Sequence, residues 1–142
     1  MRQIEFRAHI KACSGTMDVE QIQWMGGAIV AVYVGNVWRN IGDVELMEYT
    51  GIKDYSGTMI FEGDIVRSQW KHDGQNNYDY EVTGFVEWDY ERSQWSINAE
   101  FADSTGYRTM PICRYEREEI IEDGIEVIGN IYDNPELLEV GE

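Results

Sequence analysis

The stretch LMEYTGIKDYSGTMIFEGDIV, residues 46–66, predicts the architecture of this 142-residue chain more directly than any other segment. It places one short strand before a turn and another after it, with glycines where the chain must reverse direction. The residues DYSG, 54–57, fit a type I turn, because aspartate accepts backbone hydrogen bonds and glycine tolerates a positive φ. We therefore predict structural roles for Gly51, Asp54, Gly57, Glu62, Gly63 and Asp64.

Alternating apolar and polar residues predict further strands on both sides of this stretch. Upstream, residues 2–10 alternate in this way, which is typical of a half-buried strand. The glycine-flanked run AIVAVYV, residues 28–34, is rich in β-branched residues and favours a strand buried on both faces. Downstream, the predicted strands are residues 65–70, 81–88, 94–101 and 125–132.

Short strands at this spacing indicate a small, strongly bent sheet or barrel over about residues 58–132. The predicted fold is therefore mainly β, with this barrel packed on an N-terminal β-rich part. We expect the parts to be residues 1–50 and 51–142, as separate units or as one compact unit.

One or two short helices are predicted to complete the fold. Residues 114–122 have helical character. The pair Asn134-Pro135 can open a terminal helical turn, with Asn134 as N-cap and Pro135 at the first position. Gly129 is predicted to form a bulge in the last strand.

The net charge of −16 narrows the possible partners. So few lysines and arginines disfavour direct binding to nucleic acids or to anionic membrane surfaces. An acidic surface more often maintains solubility than recognises a partner. The N-terminus lacks a continuous apolar core and the apolar runs are too short to span a bilayer. We therefore expect a cytoplasmic protein with reduced thiols.

The residue pattern offers little for metal, cofactor or catalytic chemistry. A zinc site usually needs two close pairs of soft ligands, and no second pair accompanies His9 and Cys13. Glu62 and Asp64 flank Gly63 and could form an acid/base pair, but a role in holding the bend is favoured. Nucleophile-elbow, Walker and dinucleotide-binding patterns do not occur. We therefore predict no metal, no cofactor and no enzymatic activity; the soft ligands considered are His9, Cys13, His72 and Cys113.

Aromatic residues of the central strands form a possible interaction surface, because Tyr and Trp are common anchors at interfaces. The alternative is that they fill the core of a small barrel. The set comprises Trp70, Tyr78, Tyr80, Trp88, Tyr90 and Trp95.

Three segments together carry a resemblance to a known family. The first is R-x-I-x-F-R, residues 2–7; the second is the stretch 46–66; the third is EVIGNIYDNPELL, residues 126–138. In this order they resemble the YopX-like family of bacteriophage and prophage proteins. The resemblance implies a phage or prophage origin, hence the cytoplasm of a bacterial host, and a β-rich fold with an SH3-like barrel portion. It implies no activity.

These observations favour a phage or prophage accessory protein that acts by protein–protein contact. The strand 28–34 needs cover, which a second copy of the chain or the monomer itself could provide, so self-association is expected alongside an unidentified host or phage partner. An alternative is an acidic DNA mimic that occupies a host nucleic-acid-binding or defence protein, since residues 114–142 contain ten acids and two bases. A weaker alternative is a metal-dependent hydrolase that uses scattered carboxylates.

Overall fold

The computed structural model describes residues 4–71, 79–100, 107–111 and 125–138. These ranges fold into three antiparallel sheets with two single turns of 3-10 helix, Ile41–Asp43 and Pro135–Leu138. The strands are β1 (Phe6–Ile10), β2 (Gly15–Asp18), β3 (Gln21–Met25), β4 (Ala28–Val34), β5 (Val37–Asn40), β6 (Val44–Lys53), β7 (Met59–Phe61), β8 (Asp64–Lys71), β9 (Asp79–Asp89), β10 (Gln94–Glu100), β11 (Tyr107–Pro111) and β12 (Glu126–Asn130).

The three-stranded sheet is a meander in the order β3-β4-β5. Two-residue loops connect its strands, and all four loop residues have positive φ: Gly26 and Gly27 at 60° and 82°, Gly35 and Asn36 at 62° and 65°. This is the type I′ geometry, whose twist matches that of the flanking strands, and glycine and asparagine adopt it at little cost. The glycines that flank AIVAVYV therefore make this segment the central strand of a local sheet.

The four-stranded sheet, in the order β2-β1-β6-β7, forms the middle of the molecule. Its strand β6 is buried on both faces, because its alternate side chains enter two different apolar clusters. One cluster contains Ala8, Ile10, Val32, Val34 and Val44, and joins this sheet to the three-stranded sheet. The other contains Met47, Tyr49 and Phe61, with Met59 and Tyr132 packed against it.

The five-stranded sheet, in the order β11-β10-β9-β8-β12, curls into a half-barrel. Its core cluster contains Ile60, Val66, Val86 and Ile97, with Trp95 packed against them. The prediction of a mainly β fold, with a barrel-like part over about residues 58–132, is confirmed. The SH3-like assignment stays a prediction. So does the division at residue 50, a position that lies inside β6.

The described chain ends in a 3-10 turn, Pro135–Leu138, at the position of the predicted terminal helical turn. Asn134 precedes this turn, but its side-chain oxygen accepts the backbone N–H of Asn130 at 3.3 Å. The register of β12 shifts between Val127 and Gly129. A Cβ at Gly129 would lie 2.6 Å from Asn134 Oδ1, so only glycine leaves room for that hydrogen bond. The predicted helix at 114–122 lies outside the described residues.

Strand β4 is only partly buried on its second face within the described chain. Val32 and Val34 enter the core cluster, and on the opposite side Ala31 is buried but Tyr33 is half-buried. Among the described residues, no helix is long and apolar enough to cross a membrane.

Candidate functional site

The three segments quoted above meet at what we call the junction, defined by Arg7, His9, Thr16, Asp54, Asp64 and Asp133. Each segment contributes a charged side chain to it, or receives a hydrogen bond from one. The contacts connect β1 and β2 to the β7–β8 bend and to the turn that follows β12.

The first contact of the junction is a buried ion pair between Arg7 and Asp64. Arg7 Nη2 donates to Asp64 Oδ1, and the other oxygen of this fully buried carboxylate accepts the N–H of Phe61 at 2.8 Å. The guanidinium carbon lies 4.6 Å from the centroid of the Phe61 ring. Burial lowers the pKa of Arg7 to about 10, against the opposing charges of Asp133 and Asp18, so the side chain remains a cation at neutral pH.

The second contact links the turn 54–57 to β12 through the buried carboxylate of Asp54. Its Oδ1 accepts the backbone N–H groups of Ser56 at 2.9 Å and of Thr58 at 2.8 Å. Its Oδ2 accepts the N–H of Val127 at 3.1 Å. The turn closes with Gly57 N–H donating to the Asp54 carbonyl at 3.0 Å, and Gly57 has a φ of 89°.

The third contact brings the turn after β12 back onto β1 and β2. Thr16 Oγ1 donates to Asp133 Oδ2 at 2.7 Å, and His9 Nδ1 lies 3.0 Å from Asp133 Oδ1. The Tyr132 ring stacks on the His9 ring at a centroid distance of 5.2 Å. Burial alone would raise the pKa of Asp133, but hydrogen bonds from Asn130 and Thr16, with the charge and hydrogen bond of His9, outweigh it and hold this pKa below its usual range.

The lowered pKa of Asp133 predicts an acid-sensitive contribution to stability. Because the folded chain holds this carboxyl ionised more strongly than the unfolded chain does, the contribution is complete above pH of about 4, the ordinary carboxyl value, and is lost as the pH falls through the lower folded value. The variant Asp133→Asn should therefore lose stability at pH 7 and show a shallower loss below pH 4. Urea unfolding of both proteins from pH 2 to pH 7 measures this, and parallel curves would contradict it.

The bend at Gly63 brings three elements together. Gly63 has a φ of 83°, its N–H donates to the Val86 carbonyl at 2.8 Å, and its carbonyl accepts the N–H of Ile131 at 2.9 Å. Burial, with a smaller effect of Glu48, raises the pKa of the neighbouring Glu62. Gly51 also has a positive φ, 85°, where the register between β6 and β7 shifts. The predicted structural residues of the stretch 46–66 thus lie at its turns and irregularities.

A second feature is the sheet surface, which we define as the exposed part of residues 21–40 in β3, β4 and β5. Four large apolar side chains are exposed there, two on each face of the sheet. Trp24 (60%) and Val37 (46%) lie on the face of Val32 and Val34, and Met25 (63%) and Trp38 (51%) lie on the face of Tyr33. Tyr33 packs edge-on against Trp38 at 5.5 Å between ring centroids. The segment contains no acidic residue and one base, Arg39, so the rest of the chain carries a net charge of −17.

Comparison with known proteins identifies the family of this chain. The model of the YopX protein family matches residues 5–139. The chain belongs to the YopX family. Its fold is similar to the crystal structure of protein EF1440 from Enterococcus faecalis, with a TM-score of 0.58 over 97% of this chain and 99% of that one, at 20% sequence identity. No curated protein matches the sequence.

In this member of the YopX family, the charged side chains of the junction are engaged in contacts that connect the three segments. Asp64 is fully buried against Arg7, so it cannot contact a substrate as half of an acid/base pair with Glu62. His9 is engaged by Asp133, and Cys13 is exposed. The part of the chain that the structure describes contains no group of three metal-ligating side chains; His72 and Cys113 lie outside that part.

Of the six aromatic residues predicted to form an interaction surface, the structure of this YopX protein describes the side chains of three, Trp88, Tyr90 and Trp95. Trp88 and Trp95 meet edge to face at 5.2 Å, and Trp95 packs against the core of the half-barrel. Tyr90 is 87% exposed in the turn between β9 and β10. Tyr78 and the side chains of Trp70 and Tyr80 lie outside the described residues.

Neither the junction partners nor the sheet surface of this YopX protein was predicted from the sequence. The alternation over residues 2–10 puts Arg7 and His9 on the polar face of a half-buried strand, but both are covered by the second and third segments. The signal for the sheet surface was present in the sequence: twenty consecutive residues without an acid in a chain with 27 acidic residues. The predicted acidic face at 114–142 cannot be placed, because seven of its ten acids lie outside the described residues.

Proposed function

We propose that this YopX family member is a phage or prophage accessory protein that acts by protein–protein contact as a homo-oligomer in the cytoplasm of a bacterial host, without catalysing a reaction. Family membership supports the phage association. The observation that carries the proposal is the sheet surface: four exposed large apolar side chains on a local sheet that has no acidic residue.

Physical chemistry favours this surface as a contact between copies. Two chains with a net charge of −16 repel each other over most of their surfaces, and the repulsion is weakest where acids are absent. Trp and Tyr bury large areas at low cost in side-chain entropy, which makes them frequent anchors of interfaces. The sheet surface therefore combines the residues that stabilise an interface with the charge pattern that lets two copies approach.

Self-association is expected to depend on Trp24 and Trp38 and not on an exposed aromatic elsewhere. The double variant Trp24→Gln, Trp38→Gln removes one half-exposed indole from each face of the sheet in each copy. A contact between two copies through either face then loses two indoles, each worth about 1 kcal/mol when covered, so the dissociation constant should rise about thirtyfold. The matched control is Tyr90→Gln, which removes an aromatic side chain from the turn between β9 and β10 in the five-stranded sheet. Light scattering and sedimentation equilibrium measure the mass of each protein in solution at concentrations of about 1–100 μM.

A wild-type protein that stays monomeric across this range overturns self-association. An oligomer weakened equally by Tyr90→Gln and by the double variant assigns the contact to another surface. A host or phage partner is a separate component of the proposal. Affinity capture from infected and uninfected host cells, with the double variant as the comparison, should recover a protein that the variant loses.

A further inference from the structure

Strand β3 is an unprotected sheet edge. It lies at one end of the order β3-β4-β5, so among the described residues its backbone is paired on one side only, with β4. Its sequence, QIQWM, contains no charge and no proline, and all its side chains except Ile22 are exposed. Exposed edges of this kind are templates for pairing with another strand, and proteins usually block them with charges, proline, bulges or short length.

The other described edges show these protections, and among them β11 contains Arg108 and ends at Pro111. Strand β2 contains Asp18 and is tied to Asp133 through Thr16. Strand β12 has a register shift at its centre, and Asp54 already accepts the N–H of Val127. Strand β7 has three residues and strand β5 has four, with Arg39 among them. The irregularity between β3 and β4 falls on β4, where Val30 has no partner, so β3 itself stays regular.

We propose that two copies of the chain pair through antiparallel β3 strands about a two-fold axis at Gln23, which merges two three-stranded sheets into one of six strands. This rests on the proposed self-association and specifies its geometry. Gln23 then lies opposite Gln23 of the second copy, and Ile22 lies opposite Trp24. Such a contact is isologous: the same patch serves both copies and the assembly closes at two.

Burial and charge both support this register. Paired residues in an antiparallel sheet share a face, so the exposed Trp24 of one copy covers the half-buried Ile22 of the other. The nearest acid, Glu20, lies opposite Gly26 of the second copy. The two Glu20 side chains are therefore six strand positions apart, about 20 Å, which is beyond the screening length of about 8–10 Å at physiological salt. A second copy consequently meets no like charge along β3.

A charge-complementation experiment tests the pairing of Gln23 with itself. The variants Gln23→Glu and Gln23→Lys each place like charges directly opposite each other, and each should raise the dissociation constant at least tenfold at low salt. An equimolar mixture of the two should recover the wild-type association, because opposite charges then face each other. The matched controls are Asn40→Glu and Asn40→Lys on the exposed β5 edge, which should leave association unchanged, alone and mixed.

The outcomes separate this geometry from the broader proposal. A monomeric wild type overturns both. Association that is lost in Trp24→Gln, Trp38→Gln but is insensitive to charge at residue 23 overturns the β3 pairing and leaves self-association standing. If the mixture of Gln23→Glu and Gln23→Lys does not recover association, the two-fold register is overturned. The same follows if association is lost in the single Asn40 variants and recovered in their mixture.

Hydrogen exchange provides a second measurement that needs no variant. Pairing of β3 with a second copy protects the backbone amides that face the free edge. Exchange of a peptide covering Gln21–Met25 should therefore slow as the wild-type protein is concentrated through its dissociation constant, while a peptide covering the exposed turn at Tyr90 stays constant. Unchanged exchange in Gln21–Met25, at concentrations where the mass is that of a dimer, overturns the proposal.

Discussion

Replacing Arg7 with methionine is expected to lower the free energy of unfolding by about 3–5 kcal/mol, the cost of leaving a buried charge without its partner. The charge is that of Asp64, which is fully buried and keeps only the Phe61 N–H once the guanidinium is gone. The substitution retains much of the apolar stem of Arg7, so the loss reports the ion pair more than the packing. Urea denaturation at pH 7 measures it.

A surface ion pair next to the end of the same strand, β1, provides the control. Lys11 Nζ lies 3.4 Å from Glu45 Oε1, and both side chains are about half exposed, so Lys11→Met should cost no more than about 1 kcal/mol. Adding Asp64→Asn to Arg7→Met removes the orphaned charge and should recover part of the stability. Equal losses for Arg7→Met and Lys11→Met, or no recovery in the double variant, would contradict a buried, paired carboxylate.

The second large effect is expected at Asp54. The variant Asp54→Ala leaves the N–H groups of Ser56, Thr58 and Val127 without their acceptor, and we expect a loss of about 2–3 kcal/mol. Asp54→Asn keeps one acceptor oxygen for the turn but presents an NH2 group to the Val127 N–H, so it should lose an intermediate amount. Urea denaturation gives the size of the loss, and hydrogen exchange of Val127 shows whether β12 is released from the turn.

Asp89 is the matched control, because its Oδ1 also accepts two backbone N–H groups of a turn, those of Glu91 and Arg92. That turn is exposed, and among the described residues its aspartate bonds only to the turn itself, so Asp89→Ala should cost less than half as much as Asp54→Ala. Equal costs would show that Asp54 matters only for its own turn. The comparison therefore isolates the hydrogen bond to Val127.

The strands could be predicted because alternation and glycine placement are local. The run AIVAVYV was assigned its observed limits, Ala28–Val34, and the glycines beside it became the two hairpin loops. The turn at Asp54 was also predictable, since aspartate and glycine in those positions favour one geometry. The stretch 17–24 was the exception, because its sequence fits a strand or a short helix equally well: it forms parts of β2 and β3, strands too short to show a clear period.

The junction could not be predicted, because its contacts join residues far apart in sequence. Arg7 and Asp64 are separated by 57 positions, and Thr16 and Asp133 by 117. A polar face on β1 is typical of a solvent-facing strand, and only the packing of the C-terminal segment over it shows otherwise. Similarly, the aromatic content predicted an interaction surface on the central strands. The exposed large apolar side chains of β3 and β5 were not predicted, because periodicity does not show their exposure.

The long-range contact between Thr16 and Asp133 also bears on how the chain is made. The strands of the four-stranded sheet end at residue 61, but the polar face of β1 stays uncovered until residue 133 has left the ribosome. Contacts of such high sequence separation slow folding, and slow folding prolongs the exposure of edges that can aggregate. The large negative charge opposes this aggregation, because it keeps nascent chains apart until the third segment covers the first.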